Sequence, residues 1–216
     1  MSHSGQELTA RLYSLVHSLE RFGPMPGWSN VPADGVYFFF ERGETVPLDG
    51  RSVERIVCVG THRADGGLKR RLRDHFSGSR RTSAFRRHLG LALLALDGAG
   101  SARTVAWLTG ASGEVVDLEA RVDDLLRERF TFRAIPIRTM TERLAVEQGL
   151  IALLARSPLG TPSQTWLGHH AVSAAVRGSG LWNVNHINGG AIDEERLARI
   201  VALSQPLGEA RSVPSS

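Results

Sequence analysis

The sequence predicts an α+β fold: a small antiparallel three-stranded sheet flanked by helices, with additional helices and an insertion. Two runs, GVYFFF at 35–40 and RIVCVG at 55–60, are aromatic or β-branched and read as buried strands. A third, from Phe130 to Ile137, sets Phe130, Phe132 and Ala134 in alternation and is closed by Pro136. Around these runs apolar residues recur in steps of three and four, the period of amphipathic helices.

In chain order, Leu8, Leu12, Leu15 and Leu19, widened by Val16 and Phe22, predict a helix over 6–22. PMPGWSNVPADG (24–35) breaks it with three prolines and two glycines. The polar stretch ERGETVPLDGRSVE separates the first two strands and contains Asp49-Gly50, which predicts an antiparallel hairpin with a long loop. Leu68, Leu72 and Phe76 mark a helix. Ser83 reads as the N-cap of the next, which carries Phe85, Leu89, Leu91, Leu93 and Leu94 and ends at Gly98 and Gly100. Residues 103–109 read as a short strand. Val115, Leu118, Val122, Leu125 and Leu126 predict a helix before the third strand, and Thr141 precedes a strong helix running to Arg156. Residues 157–180, rich in Gly, Pro, Ser and His, read as an ordered insertion. A terminal helix over 193–204 precedes a disordered tail, 208–216.

A chain of 216 residues fits a single domain, here with its core over 33–190, and 42% hydrophobic with 22% charged residues excludes global disorder. One cysteine, Cys58, excludes a disulfide framework and a multi-cysteine zinc site. No stretch approaches the ~20 apolar residues of a membrane span, and the first residues lack the pattern of a signal peptide. The expectation is a cytoplasmic protein without membrane contact. Net charge is +4, but residues 63–88 hold eight arginines and Lys69, the sole lysine, against two aspartates. That block is either a solvated helix surface or a phosphate-binding face.

Several side chains carry chemistry. Tyr37 in a buried strand is either a packed ring with one hydrogen bond or a general base favoured by nearby positive charge. Arg71 and His75, four residues apart, share one helix face beside the apolar stripe, so Arg71 either turns toward the sheet to meet a phosphate or pairs with Asp74 at the surface. Glu147 lies among Leu144, Val146, Leu150 and Ile151. A carboxylate there binds Mg²⁺ or pairs with Arg143. Asn183, between Trp182 and Val184, needs partners, from backbone or from substrate. In the insertion, Trp166, His169, His170 and Arg177 either reach bases and phosphates or cover the sheet.

In order, these motifs resemble the GIY-YIG endonucleases. GVY (35–37) and CVG (58–60) look like the two signature tripeptides, GLKRRLRDH (67–75) like the arginine-bearing helix, VEQGLI (146–151) like the helix with a metal-binding glutamate, and WNV (182–184) like the late asparagine motif. The resemblance implies metal-dependent hydrolysis of DNA phosphodiester bonds, with RNA not excluded and a homodimer allowed. It implies Tyr37 as general base, Arg71 and His75 on the phosphate, Glu147 on Mg²⁺ or Mn²⁺, and Asn183 in support. His62, Lys69, Arg70, Arg73, Arg80, Arg81, Arg86 and Arg87 are the expected nucleic-acid contacts. One departure stands out: the second tripeptide of the family usually begins with tyrosine, and here Cys58 takes its place. The alternative is therefore a catalytically weakened nucleic-acid-binding module on the same fold. A protein interaction surface for an acidic partner is a third reading.

Overall fold

The computed structural model describes residues 3–109 and 115–204; the expected tail lies outside them. Strand β1 (Gly35–Leu48) is central, with β2 (Arg51–Gly60) on one side and β3 (Phe130–Pro136) on the other, all antiparallel. The α+β expectation holds. Both faces of the sheet are covered, which is why its strands read as continuous apolar runs. Tyr37, Phe39, Phe130 and Phe132 pack with α2 (Leu68–Phe76), α3 (Ala84–Leu96) and α5 (Val116–Arg129) on one face. Val36, Phe38, Phe40 and Ile135 pack with α1 (His3–Ser18), α6 (Met140–Ala155) and α8 (Glu194–Ser204) on the other.

The hairpin departs from expectation. Asp49 (φ 48) and Gly50 (φ 73) form the whole turn, and Leu48 pairs directly with Arg51. Two successive positive φ angles match the right-handed twist of the strands they join, so the Asp-Gly pair outweighs the polarity around it. The polar stretch is strand, with an irregularity between Phe40 and Thr45 where Gly43 takes φ 90. Its charges turn inward. Arg55 and Glu44 form a buried pair at 2.7 Å. Arg55 also donates to the carbonyls of Gly160 (3.3 Å) and Gly180 (2.5 Å), and its guanidinium lies over the Trp166 ring. Glu44 accepts from the Ser163 amide at 3.1 Å and from its hydroxyl. This pair anchors residues 157–180 to the hairpin. Arg55→Met should lower stability by about 3–5 kcal/mol, because Glu44 is left charged and buried. Denaturant unfolding measures it, and adding Glu44→Leu should recover part of the loss.

Three other expectations change. The first helix ends at Ser18, and Phe22 instead pairs with Phe132, its N–H and C=O each bonded at 2.8 Å with the rings stacked. Residues 103–109 belong to helix α4 (Ser101–Thr109), not a strand. A short apolar run is ambiguous by pattern, and here packing decides. Trp107 lies against Gly90 of α3, where a Cβ would sit 2.2 Å from the indole, and bonds to the Arg87 carbonyl. Helix α6 begins at Met140 and so includes Thr141, which was expected to precede it; Thr139 caps it, its hydroxyl accepting from the Glu142 amide. Ser83 caps α3 as expected.

Candidate active site

The two signature tripeptides meet across the hairpin, Tyr37 opposite Gly60. Each glycine answers a close approach. A Cβ on Gly60 would lie 2.2 Å from the Tyr37 hydroxyl, and one on Gly35 would lie 2.2 Å from the Ile135 carbonyl oxygen of β3. The Tyr37 ring therefore lies across the end of β2, where it helps line a cavity of about 670 Å³. Tyr37, Arg71, His75, Glu147 and Asn183 all line that cavity.

The free edge of β2 assembles much of it. An edge strand leaves alternate N–H and C=O groups without a ladder partner. Trp182 donates its amide to the Val57 carbonyl at 2.7 Å. The Asn183 side chain accepts from the Val59 amide at 3.0 Å and donates to the Val59 carbonyl at 2.8 Å. The Glu147 carboxylate accepts from the Thr61 amide at 3.1 Å. Asn183 thus spends its amide on backbone and fixes the cavity wall. Arg143 does not pair with Glu147; buried, it bonds Asp34 and Asp65 at 3.3 Å each. Burial pushes the Glu147 carboxyl above its usual range, against the opposing pull of the Thr61 amide, Arg71 and Arg63.

Arg71 turns toward the sheet. It donates to the Thr82 carbonyl at 3.0 Å and lies close enough to the Tyr37 hydroxyl to favour the phenolate. Burial acts the other way and pushes the phenol well above its ordinary value. His75 lines the same cavity. It is buried, with Nε2 2.6 Å from the Tyr37 hydroxyl and Nδ1 2.8 Å from Ser83 Oγ, so both ring nitrogens are occupied inside the protein. Burial, then Arg71 and Arg86, hold it neutral by lowering its pKa well below the histidine range.

Cys58 lines the cavity beneath Tyr37, buried, and burial pushes its thiol up to about 12. It is protonated at neutral pH and therefore a poor nucleophile. Native protein should resist iodoacetamide at pH 7, and Cys58→Ser should retain whatever activity the parent shows within about threefold, since no ionised thiol is lost.

The basic block divides in two. Arg80 and Arg86 are buried, not surface contacts. Arg80 bonds Glu119 at 3.0 Å and the Trp107 carbonyl at 2.7 Å; Arg86 bonds Glu119 at 2.8 Å and forms an ion pair with Asp123 at 2.6 Å. They tie α3 to α5. His62 is buried too: its Nε2 accepts from the Gly35 amide at 3.3 Å, which leaves Nδ1–H to donate to the Ala64 carbonyl at 2.7 Å. Arg70, Arg73, Arg81 and Arg87 are exposed, Lys69 is half-buried and donates to the Ser29 carbonyl, and Arg63 and Arg70 reach the cavity rim. In the insertion, Trp166 is core, its indole N–H donating to buried Glu41 at 3.1 Å, and Arg177 donates to the Ala171 and Val172 carbonyls. Sequence reasoning missed Ser83 as a site residue, since its capping signal accounts for it alone. It also passed over Gln148, beside Glu147, and His186, which line the same cavity.

A three-stranded antiparallel sheet, an arginine-bearing helix and a glutamate-bearing helix thus converge on one cavity of an α+β domain. A sequence model described as the GIY-YIG domain matches residues 4–206, and the chain belongs to that family. No curated protein and no solved structure matches it. Membership points to nuclease chemistry and a nucleic-acid substrate. Among the described residues no helix is long and apolar enough to cross a membrane.

Proposed function

We propose that the protein is a divalent-cation-dependent endonuclease that hydrolyses DNA phosphodiester bonds. The observation that carries this reading is the convergence of Tyr37, Arg71 and Glu147, from β1, α2 and α6, on one cavity rimmed by Arg63 and Arg70. Tyr37 as phenolate takes the proton of an attacking water whose oxygen bonds to phosphorus. Arg71 stabilises the negative charge that gathers on the phosphoryl oxygens. The bond to the leaving oxygen then breaks, and that oxygen takes a proton from solvent. His75 supports Tyr37, and Asn183 keeps the β2 edge in place. The exposed arginines hold the flanking backbone.

The donor set fits a hard cation. Among the described residues no three His, Cys, Asp or Glu side chains gather as a metal cluster, and Glu147 offers a single carboxylate. Mg²⁺ and Mn²⁺ suit such a site, because Mg²⁺ keeps most of its waters and takes one or two carboxylates plus substrate phosphate. The elevated Glu147 carboxyl marks a buried charge that a cation would offset. When bound, the ion supplies positive charge for the leaving oxygen.

The test is incubation of plasmid and branched DNA with the protein and Mg²⁺ or Mn²⁺, with EDTA as control. Metal-dependent cutting that Arg71→Ala abolishes supports the endonuclease. Salt-sensitive binding without cutting supports the weakened binding module, the reading that Cys58 in place of a phenol favours.

A further inference from the structure

The Tyr37–His75 contact continues into α3. Ser83 Oγ is 2.8 Å from His75 Nδ1 and accepts from the Arg86 amide at 3.2 Å. Ser83 is fully buried, and its amide bonds the Ser79 carbonyl. A hydroxyl has one hydrogen to give, and a buried donor without an acceptor is costly. The Arg86 amide is a donor, so the remaining acceptor within reach of the Ser83 hydroxyl is His75 Nδ1. We infer that Ser83 donates to His75 Nδ1, fixing the neutral imidazole with its proton on Nε2, so that His75 donates to the Tyr37 oxygen and positions it as a base.

The consequence lies in the direction of the Tyr37 bond. With the proton on His75 Nε2, the Tyr37 oxygen accepts from His75, and its own hydrogen points away toward the cavity. On loss of that hydrogen, the phenolate keeps a fixed donor at 2.6 Å beside the Arg71 guanidinium. With the opposite tautomer, Tyr37 would give its hydrogen to His75, and the phenolate would face a lone pair. Ser83 is thus a positioning residue that acts through His75. The N-terminal cap of α3 and the proton position at the site are one hydroxyl. This rests on the proposed hydrolysis for its catalytic meaning, but the tautomer itself does not.

Aspartate separates the two duties of Ser83. It caps helices as well as serine does, but ionised it only accepts hydrogen bonds, so Ser83→Asp keeps α3 capped and draws the His75 proton to Nδ1. Nitrogen NMR of the imidazoles reads the tautomer, with the His75 signals assigned by their loss in His75→Gln. The expected result is Nε2–H in the unaltered protein and in Ser83→Thr, and Nδ1–H in Ser83→Asp. The single-turnover cleavage rate should fall roughly tenfold or more in Ser83→Asp with DNA affinity unchanged, and recover in Ser83→Thr. Nδ1–H in the unaltered protein overturns the inference with no variant needed. So does a Ser83→Asp protein whose tautomer reverses while its cleavage rate stays at the parental value. If the unaltered protein cuts no DNA, the hydrolase reading fails, and the tautomer spectrum still decides the hydrogen-bond direction.

Discussion

Glu147→Gln should cut the cleavage rate by about 10²–10³-fold, the cost of removing one charge-stabilising group from such a site, while making the metal-free protein more stable. The two effects share a cause. The folded carboxyl titrates above the ordinary carboxylate range because it is largely withdrawn from water. Between the unfolded and folded values the native state holds a proton that the unfolded state has lost, so stability falls as pH rises through that window. At neutral pH the ionised group is a net cost that Gln removes, and Gln can still accept the Thr61 amide. Thermal unfolding in EDTA should show a higher Tm for the variant. Added Mg²⁺ should raise Tm in the parent and not in the variant, since only a folded-state ligand site produces such a shift. Cleavage by the parent should fall as pH drops through the elevated Glu147 value. A Gln variant that cuts at the parental rate would sink the metal role.

Tyr37→Phe should lower the cleavage rate by about 10² or more, the usual contribution of a positioned general base, with DNA affinity retained. The ring volume is kept, so the edge-on contact with Phe39 and the clearance over Gly60 survive. The lost hydroxyl leaves the His75 ring nitrogen without its partner, at a cost of about 1–3 kcal/mol in stability. The pH profile separates this from general disruption. Burial holds the Tyr37 phenol above its ordinary value, opposed by Arg71. The phenolate fraction therefore grows with pH from neutral into the alkaline range, and the parental rate should climb with it. Tyr37→Phe should flatten that limb. A phenylalanine variant with the parental slope would show that the base lies elsewhere.

Much of the scaffold was legible because it depends on local pattern. The aromatic run at 35–40, the alternation after Phe130 and the three-and-four spacing of α2, α5 and α6 each report burial on one or two faces. Ser83 was legible as a cap, since the capping bond reaches only three residues along the chain. Residues 103–109 were not, because Trp107 finds its place against Gly90, outside any sequence window.

The site divides in the same way. By itself the sequence determined the order of its parts: two glycine-bearing tripeptides on paired strands, a basic helix, a glutamate in an apolar helix and a late asparagine. Residue types at those spacings limit the backbone that can form, and so they were enough to point to the family. Only the tertiary structure decided which arginines face solvent, because Arg80 and Arg86 are drawn inward by Glu119 and Asp123, carboxylates on α5. It also decided that His75 meets Tyr37 and Ser83 rather than open solvent, and that Glu147 and Asn183 dock on the β2 edge. Helical spacing fixes the face on which a charge stands. Its partner is fixed by which distant element packs against that face, and no local pattern carries that.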